Sequence, residues 1–142
     1  MANYCATARS NYFAVKDEKA FREWAERIGL TILEPCHRNK IADGVPGFGI
    51  APGDGGDGDG WPTDVANEET DEHDDLDLPA QLAPHLAEGE VAVLMEVGSE
   101  KLRYVSGLAV AVNHKGECVR VDLNSIYEAA LRLGPNITRA EY

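Results

Sequence analysis

Between residues 54 and 77 the chain carries 11 acidic side chains in 24 residues, with no lysine or arginine among them. They are Asp54, Asp57, Asp59, Asp64, Glu68, Glu69, Asp71, Glu72, Asp74, Asp75 and Asp77. Carboxylates at that density cannot enter a hydrophobic core, because an unpaired buried charge costs too much. The folded body must therefore come from the flanking segments, with a Gly/Asp-rich acidic insertion at about 53–77. The bias extends further: residues 41–100 hold 16 acids and no lysine or arginine, while the other 82 residues hold 9 acids and 13 bases. The net charge of −12 is thus −16 in one block and +4 elsewhere. Such a balance disfavours direct binding to nucleic acid or to an anionic membrane and favours a cationic partner.

The flanks are well suited to one domain. A chain of 142 residues can bury about two thirds of the surface that its unfolded form exposes. No apolar run reaches the ~18 residues of a membrane span. The start of the chain has no long apolar core or cleavage pattern, so no signal peptide is expected. Cys5, Cys36 and Cys118 form no disulfide framework and read as reduced thiols of a cytoplasmic protein, with Cys5 and Cys118 as small core residues.

In chain order, Asn11, Phe13 and Val15 alternate with Tyr12 and Ala14, a strand signal for the second half of residues 3–16. Asp17 can cap the helix that follows, Ala20, Phe21, Trp24, Ala25 and Ile28 share one face of it, and Gly29 can end it. Residues 30–36 read as a second strand and residues 37–43 as a loop. Residues 45–51, broken by Pro46, Gly47 and Gly49, read as an edge or bulged strand at best. After the acidic stretch, Asp77 and Pro79 predict a helix start, Leu78, Leu82 and Leu86 its buried face, and Pro84 a kink or split. Residues 90–122 contain three alternating runs joined by turns at 98–101 and 113–116, an antiparallel meander with a bulge at Gly107. Ser125 and Glu128 have capping-box spacing for a last helix that would bury Ile126, Ala129, Ala130 and Leu133. The expected fold is α+β, with an antiparallel sheet, a C-terminal three-strand meander and two to three helices on one face.

No catalytic motif competes with the acidic stretch. GDGGDGDGW places Asp57 and Asp59 at positions one and three of a calcium loop, but position five would be Trp61 and position twelve Glu68 in the wrong local context. Cys118 with His114, or Cys36 with His37, has poor spacing for zinc. An enzyme would have to draw on residues such as Arg9, Tyr104 and Arg120 of the β-rich half, where no spacing enforces a geometry. No cofactor is expected. Electrostatics offers a better-defined reading. As a flexible coil the acidic stretch spans about 25–29 Å, so its charge spacing of roughly 2.5 Å falls between about 1.7 Å for duplex DNA and about 3.4 Å for a single strand.

Two segments, NYCATARSNYFAVKDEKAFREWAE at residues 3–26 and EGEVAVLMEVGSEKLRYVSGLAVAVN at residues 88–113, resemble those of small acidic proteins carried by phages, plasmids and integrative elements. That group supplies no catalytic residues to carry over. The resemblance implies a mobile-element setting, in which small acidic proteins inhibit host defence, as anti-CRISPR proteins do when they occupy a nucleic-acid-binding surface. The combined expectation is a non-enzymatic protein that presents its 11 acids, with Trp61 as anchor or apolar contact, to the basic groove of a nucleic-acid-binding complex.

Overall fold

The computed structural model describes residues 4–35, 40–41, 45–53, 57–58 and 60–141. Cys36 and His37, most of the 37–43 loop, Asp54 and Asp59 lie outside the described residues.

The body is α+β. Strand β1 (Cys5–Ser10) is followed by helix α1 (Glu18–Ile28), β2 (Thr31–Leu33), and the short strands β3 (Lys40–Ile41), β4 (Val45–Pro46), β5 (Gly49–Ala51) and β6 (Asp57–Gly58). Then come β7 (Asp64–Ala66), β8 (His73–Asp75), α2 (Leu78–Leu82), a 3₁₀ turn (Ala83–His85), β9 (Val91–Glu100), β10 (Tyr104–Asn113), β11 (Cys118–Asp122) and α3 (Ser125–Ala130). The main sheet is antiparallel in the order β11-β10-β9-β1-β6, and β2-β5, β3-β4 and β7-β8 form separate pairs. The C-terminal meander β9–β11 is present as the alternation predicts.

The first strand lies earlier than the alternation of Phe13 and Val15 indicates. Asn11 is the cause. Its side chain donates to Val91 O at 3.0 Å and accepts from Val93 N at 2.7 Å. These bonds end the regular ladder and let the chain leave the sheet. Phe13 and Val15 then make only isolated bridges, to Phe48 and Leu86, and Phe13 drops into the core. Residues 45–51 are likewise more central than their glycines indicate. Ile50 in β5 is fully buried, and its N–H donates to the buried Ser10 hydroxyl at 2.8 Å.

Helix α1 follows its pattern closely. Asp17 caps it by accepting from Ala20 N at 3.1 Å, Gly29 ends it in the left-handed region at φ 78°, and Phe21, Trp24, Ala25 and Ile28 are buried. Pro84 splits the next helix as expected, and Leu78, Leu82 and Leu86 are buried. These side chains share one core with Ala92, Leu94 and Val112 of the sheet.

Four expectations need correction. The β9–β10 ladder runs unbroken through Gly107 opposite Val97, so there is no bulge there. The glycine instead leaves room for the Leu123 side chain, which lies 3.0 Å from where a Cβ would sit. Strand β9 continues to Glu100, so the turn falls at 101–103 rather than 98–101, and the Tyr4 ring covers Gly98. Cys5 and Cys118 are exposed rather than in the core. Cys5 points to the sheet face opposite the core, and Cys118 begins the edge strand.

The last correction concerns α3, which buries none of its residues. Its cap position is Asn124, already helical at φ −67° and ψ −17°, so Ser125 falls inside the first turn. The Ser125 hydroxyl donates backwards to Asp122 O at 2.8 Å, and the capping box does not form. Ile126 is 60% exposed and Leu133 84%.

His85 stacks on Trp24 with ring centroids 4.9 Å apart. Burial, and then the Arg27 guanidinium, push its pKa below the ordinary imidazole value, with Asp17 opposing them. The folded state thus resists protonating this ring. Its contribution to stability is complete above the unfolded-state pKa of about 6.5 and is lost as pH falls from there towards the folded value. His85→Gln should therefore lose less Tm than the wild type between about pH 7.5 and about pH 5.5, measured by calorimetry. Equal losses would sink this assignment.

Candidate functional site: an ordered acidic hairpin

Residues 64–75 form a β-hairpin rather than a structureless loop. Its strands pair Asp64 with Asp75, Val65 with Asp74 and Ala66 with His73. Neutral groups close the turn. Asn67 N donates to Glu72 O at 2.8 Å and Asp71 N to Asn67 O at 3.1 Å. The Asn67 side-chain Oδ1 accepts from Glu69 N at 2.9 Å, and Asp71 takes the left-handed conformation at φ 56°, which Asp tolerates better than most residues. The acidic side chains at 64, 68, 69, 71, 72, 74 and 75 all remain exposed.

The two faces of the hairpin differ. Val65 packs against the protein core. Asp74, which shares that face, accepts from the Asn67 amide at 3.0 Å. The other face presents Asp64, His73 and Asp75, with His73 Nδ1 2.8 Å from Asp64 Oδ1. Asp64 stands directly opposite Asp75, and like charges so placed weaken a strand pair.

A short hairpin alone is marginal in water, so its base decides whether it holds its shape. Leu76 is buried, and its N–H donates to Thr63 O at 2.9 Å. Trp61 is half-buried against the core. Its backbone N–H donates to Glu96 Oε1 at 2.7 Å and its indole N–H to Met95 O at 3.1 Å. The second oxygen of Glu96 accepts from the Tyr4 hydroxyl at 2.9 Å. Gly60 enters this knot at φ 89°, and a Cβ there would run into the Glu96 carboxylate. Tyr4 has its pKa raised, mainly by burial and also by Glu96, so it stays a neutral donor.

The structure therefore divides the sequence-derived residues. Asp64, Glu68, Glu69, Asp71, Glu72, Asp74 and Asp75 gather on one hairpin. Asp57 lies apart in β6, opposite Thr7 at the sheet edge. Asp77 caps α2 by accepting from Ala80 N at 3.2 Å, a structural role. Trp61 is the anchor of the hairpin. Sequence reasoning missed Glu96, although a signal existed: it occupies the same alternation as the buried Ala92 and Leu94, where a carboxylate needs partners.

No known protein family, curated protein or solved structure matches this chain.

The arrangement offers charge rather than covalent chemistry. Arg9, Tyr104 and Arg120 are not brought together. Arg9 is opposite Met95 on one face of the sheet, whereas Arg120 is opposite Val110 on the other, and Tyr104 stacks on Tyr4. Of the residues considered for a calcium loop, Asp57 lies in β6, paired with β1, and Glu68 in the turn between β7 and β8, while Asp59 lies outside the described residues. A cavity of about 610 Å³ lies beside Trp61, lined by Leu78, Leu94, Leu108, Val110 and Arg120. Glu96 also borders it, but both its oxygens already accept hydrogen bonds. Among the described residues, no group of three His, Cys, Asp or Glu side chains could hold a metal ion, and no helix is long and apolar enough to cross a membrane.

Proposed function

We propose that this is a non-enzymatic binding protein that inserts the β7–β8 hairpin into the basic groove of a nucleic-acid-binding protein and excludes the nucleic acid. The single observation that carries the reading is the pinned hairpin, with seven carboxylates between Asp64 and Asp75 and no lysine or arginine. The arms pair over residues 64–67 and 72–75, four residues each or about 13 Å at roughly 3.3 Å per residue. The charge spacing along the hairpin is then about 2 Å, between the spacings of duplex and single-stranded nucleic acid. A groove of lysines and arginines meets similar potentials in both ligands, and the hairpin brings its charges already ordered. The resemblance to mobile-element proteins makes an anti-CRISPR-like inhibitor of a host defence complex the form of this function we favour.

The test uses the chain and a variant with Asp71→Asn, Glu72→Gln, Asp74→Asn and Asp75→Asn, both immobilised and exposed to host-cell extract. The wild type should retain a nucleic-acid-binding protein that salt releases, and soluble wild type should displace that protein's nucleic acid. Loss of four charges should weaken binding at least about thirtyfold, taking about 0.5–1 kcal/mol for each exposed pair, and should flatten the salt dependence. Equal retention on both supports at low salt would remove the proposal.

A further inference from the structure

Strand β11 alternates Cys118, Arg120 and Asp122 with Val119 and Val121. Cross-strand partners share a face. The register sets Cys118 opposite Val112 and Arg120 opposite Val110, on the side of the sheet that holds the core. Between that side and the base of the hairpin lies the cavity of about 610 Å³. Of its lining, Leu76, Leu78 and Leu94 are buried in the core, while Trp61, Leu108 and Val110 are half-buried. Small-molecule sites are clefts of about 300–1,000 Å³ with mostly apolar linings and a few placed polar groups. At roughly 30 Å³ per non-hydrogen atom, the share of a water molecule in the liquid, this one holds up to about 20 such atoms.

Hydrogen bonding narrows the kind of molecule that fits. Glu96 accepts from Tyr4 and from Trp61 N, the indole N–H of Trp61 is given to Met95 O, and Asp77 Oδ1 accepts from Ala80 N. Arg120 differs. It lines the cavity, and its Nε lies 4.0 Å from Asp122 Oδ2, beyond hydrogen-bond reach. The guanidinium donors are therefore not committed to that carboxylate. A guanidinium fork matches a carboxylate in bidentate geometry. The net charge of −12 opposes an anion at long range, but salt screens that opposition over about 8 Å under physiological conditions, whereas the guanidinium acts at contact.

We propose that this cavity binds a small apolar carboxylate, its body between Trp61 and the sheet and its head on Arg120, and that the occupant steadies the hairpin. Trp61, Thr63 and Leu76 border the cavity and also fix the base of the hairpin. The occupant thus gains contacts that only the closed base provides, and mass action favours the closed form. The inference concerns the cavity alone and involves no partner protein, so it stands or falls separately from the function proposed above.

Titration of the full chain with naphthalene-2-carboxylate, followed by backbone amide NMR shifts, tests this, with naphthalene-2-carboxamide as the uncharged analogue. Saturable shifts should centre on Trp61, Leu78, Leu108, Val110 and Arg120, with a Kd of about 1 mM or lower. The carboxamide should bind about tenfold more weakly. Arg120→Gln, at an exposed position, should abolish that preference. Asp122→Asn removes the competing carboxylate and should tighten binding of the acid. Hydrogen exchange at residues 64–66 and 73–75 should slow by about tenfold with the acid at ten times its Kd. Shifts that do not saturate by about 10 mM, or that centre away from Trp61 and Leu108, overturn the site. Equal affinity for acid and carboxamide, or a preference that survives Arg120→Gln, overturns the assignment of a carboxylate. Unchanged exchange at saturation overturns the link to the hairpin. Should Arg120→Gln misfold, the comparison of acid with carboxamide on the wild type still decides.

Discussion

Phe21→Ala is expected to cost about 3–5 kcal/mol of folding stability, seen as a Tm loss of roughly 13 °C for a chain of this length. Phe21 is fully buried on α1 and sits where four rings converge. Its centroid is 6.0 Å from Phe13 in an edge-on arrangement, 5.9 Å from Phe48, 6.1 Å from Trp24 and 6.2 Å from His85. Those partners come from the segment after β1, the bridge before β5, the helix itself and the 3₁₀ turn. Truncation therefore leaves a cavity that no single element can close, and it forfeits ring-pair terms of about 0.5–1.5 kcal/mol each. Glu23→Ala, on the exposed face of the same helix, should change stability by no more than about 0.5 kcal/mol. Chemical denaturation at one fixed protein concentration measures both. A loss below about 1 kcal/mol for Phe21→Ala would mean that the aromatic cluster is not the centre of the core.

How much of this was readable beforehand follows from the range of the interactions involved. Helix α1 was legible because its cap, apolar stripe and terminal glycine all lie within 13 residues from Asp17 to Gly29. The α2 split was legible for the same reason: Pro84 acts on its own helix. The meander could be read because each of its turns is local. What escaped depends on distant partners. The β1 boundary is set by Asn11 bonding to β9, some 80 residues away. Gly98 and Gly107 look like turn and bulge signals, yet they answer to Tyr4 and Leu123. The apolar spacing of α3 correctly marked one side of that helix as hydrophobic. It could not say that, among the described residues, none would bury that side.

The acidic stretch follows the same division. Its charge was plain from composition, but its order was not, because that order depends on neutral groups and on Glu96, outside the acidic stretch. Asn67 and the turn backbone shape the tip. Val65, Leu76 and Trp61 fix the base. The density of carboxylates and the shape that presents them are thus encoded by different residues, and mutation can separate them.

Trp61→Ala is the substitution that separates them. It removes the indole from the core edge and deletes the bond to Met95 O, while every carboxylate remains. Losing a half-buried ring and one hydrogen bond should cost about 2–3 kcal/mol, much of it local to the hairpin. Hydrogen exchange at residues 64–66 and 73–75 should accelerate by roughly thirtyfold or more, with α1 far less affected. Gly60→Val should act in the same direction by another route, since its side chain would displace the Glu96 carboxylate that accepts from Trp61 N. Partner affinity should fall in both variants because the partner must now order the hairpin. The salt dependence should keep its wild-type slope, because the number of charges is unchanged. Charge neutralisation predicts the opposite pattern, a flattened slope on a hairpin that still exchanges slowly. If Trp61→Ala loosens the hairpin and affinity does not change, preorganisation contributes nothing and charge alone carries binding. If exchange does not accelerate, Trp61 is not the anchor, and the fixed hairpin must be held by Val65 and Leu76.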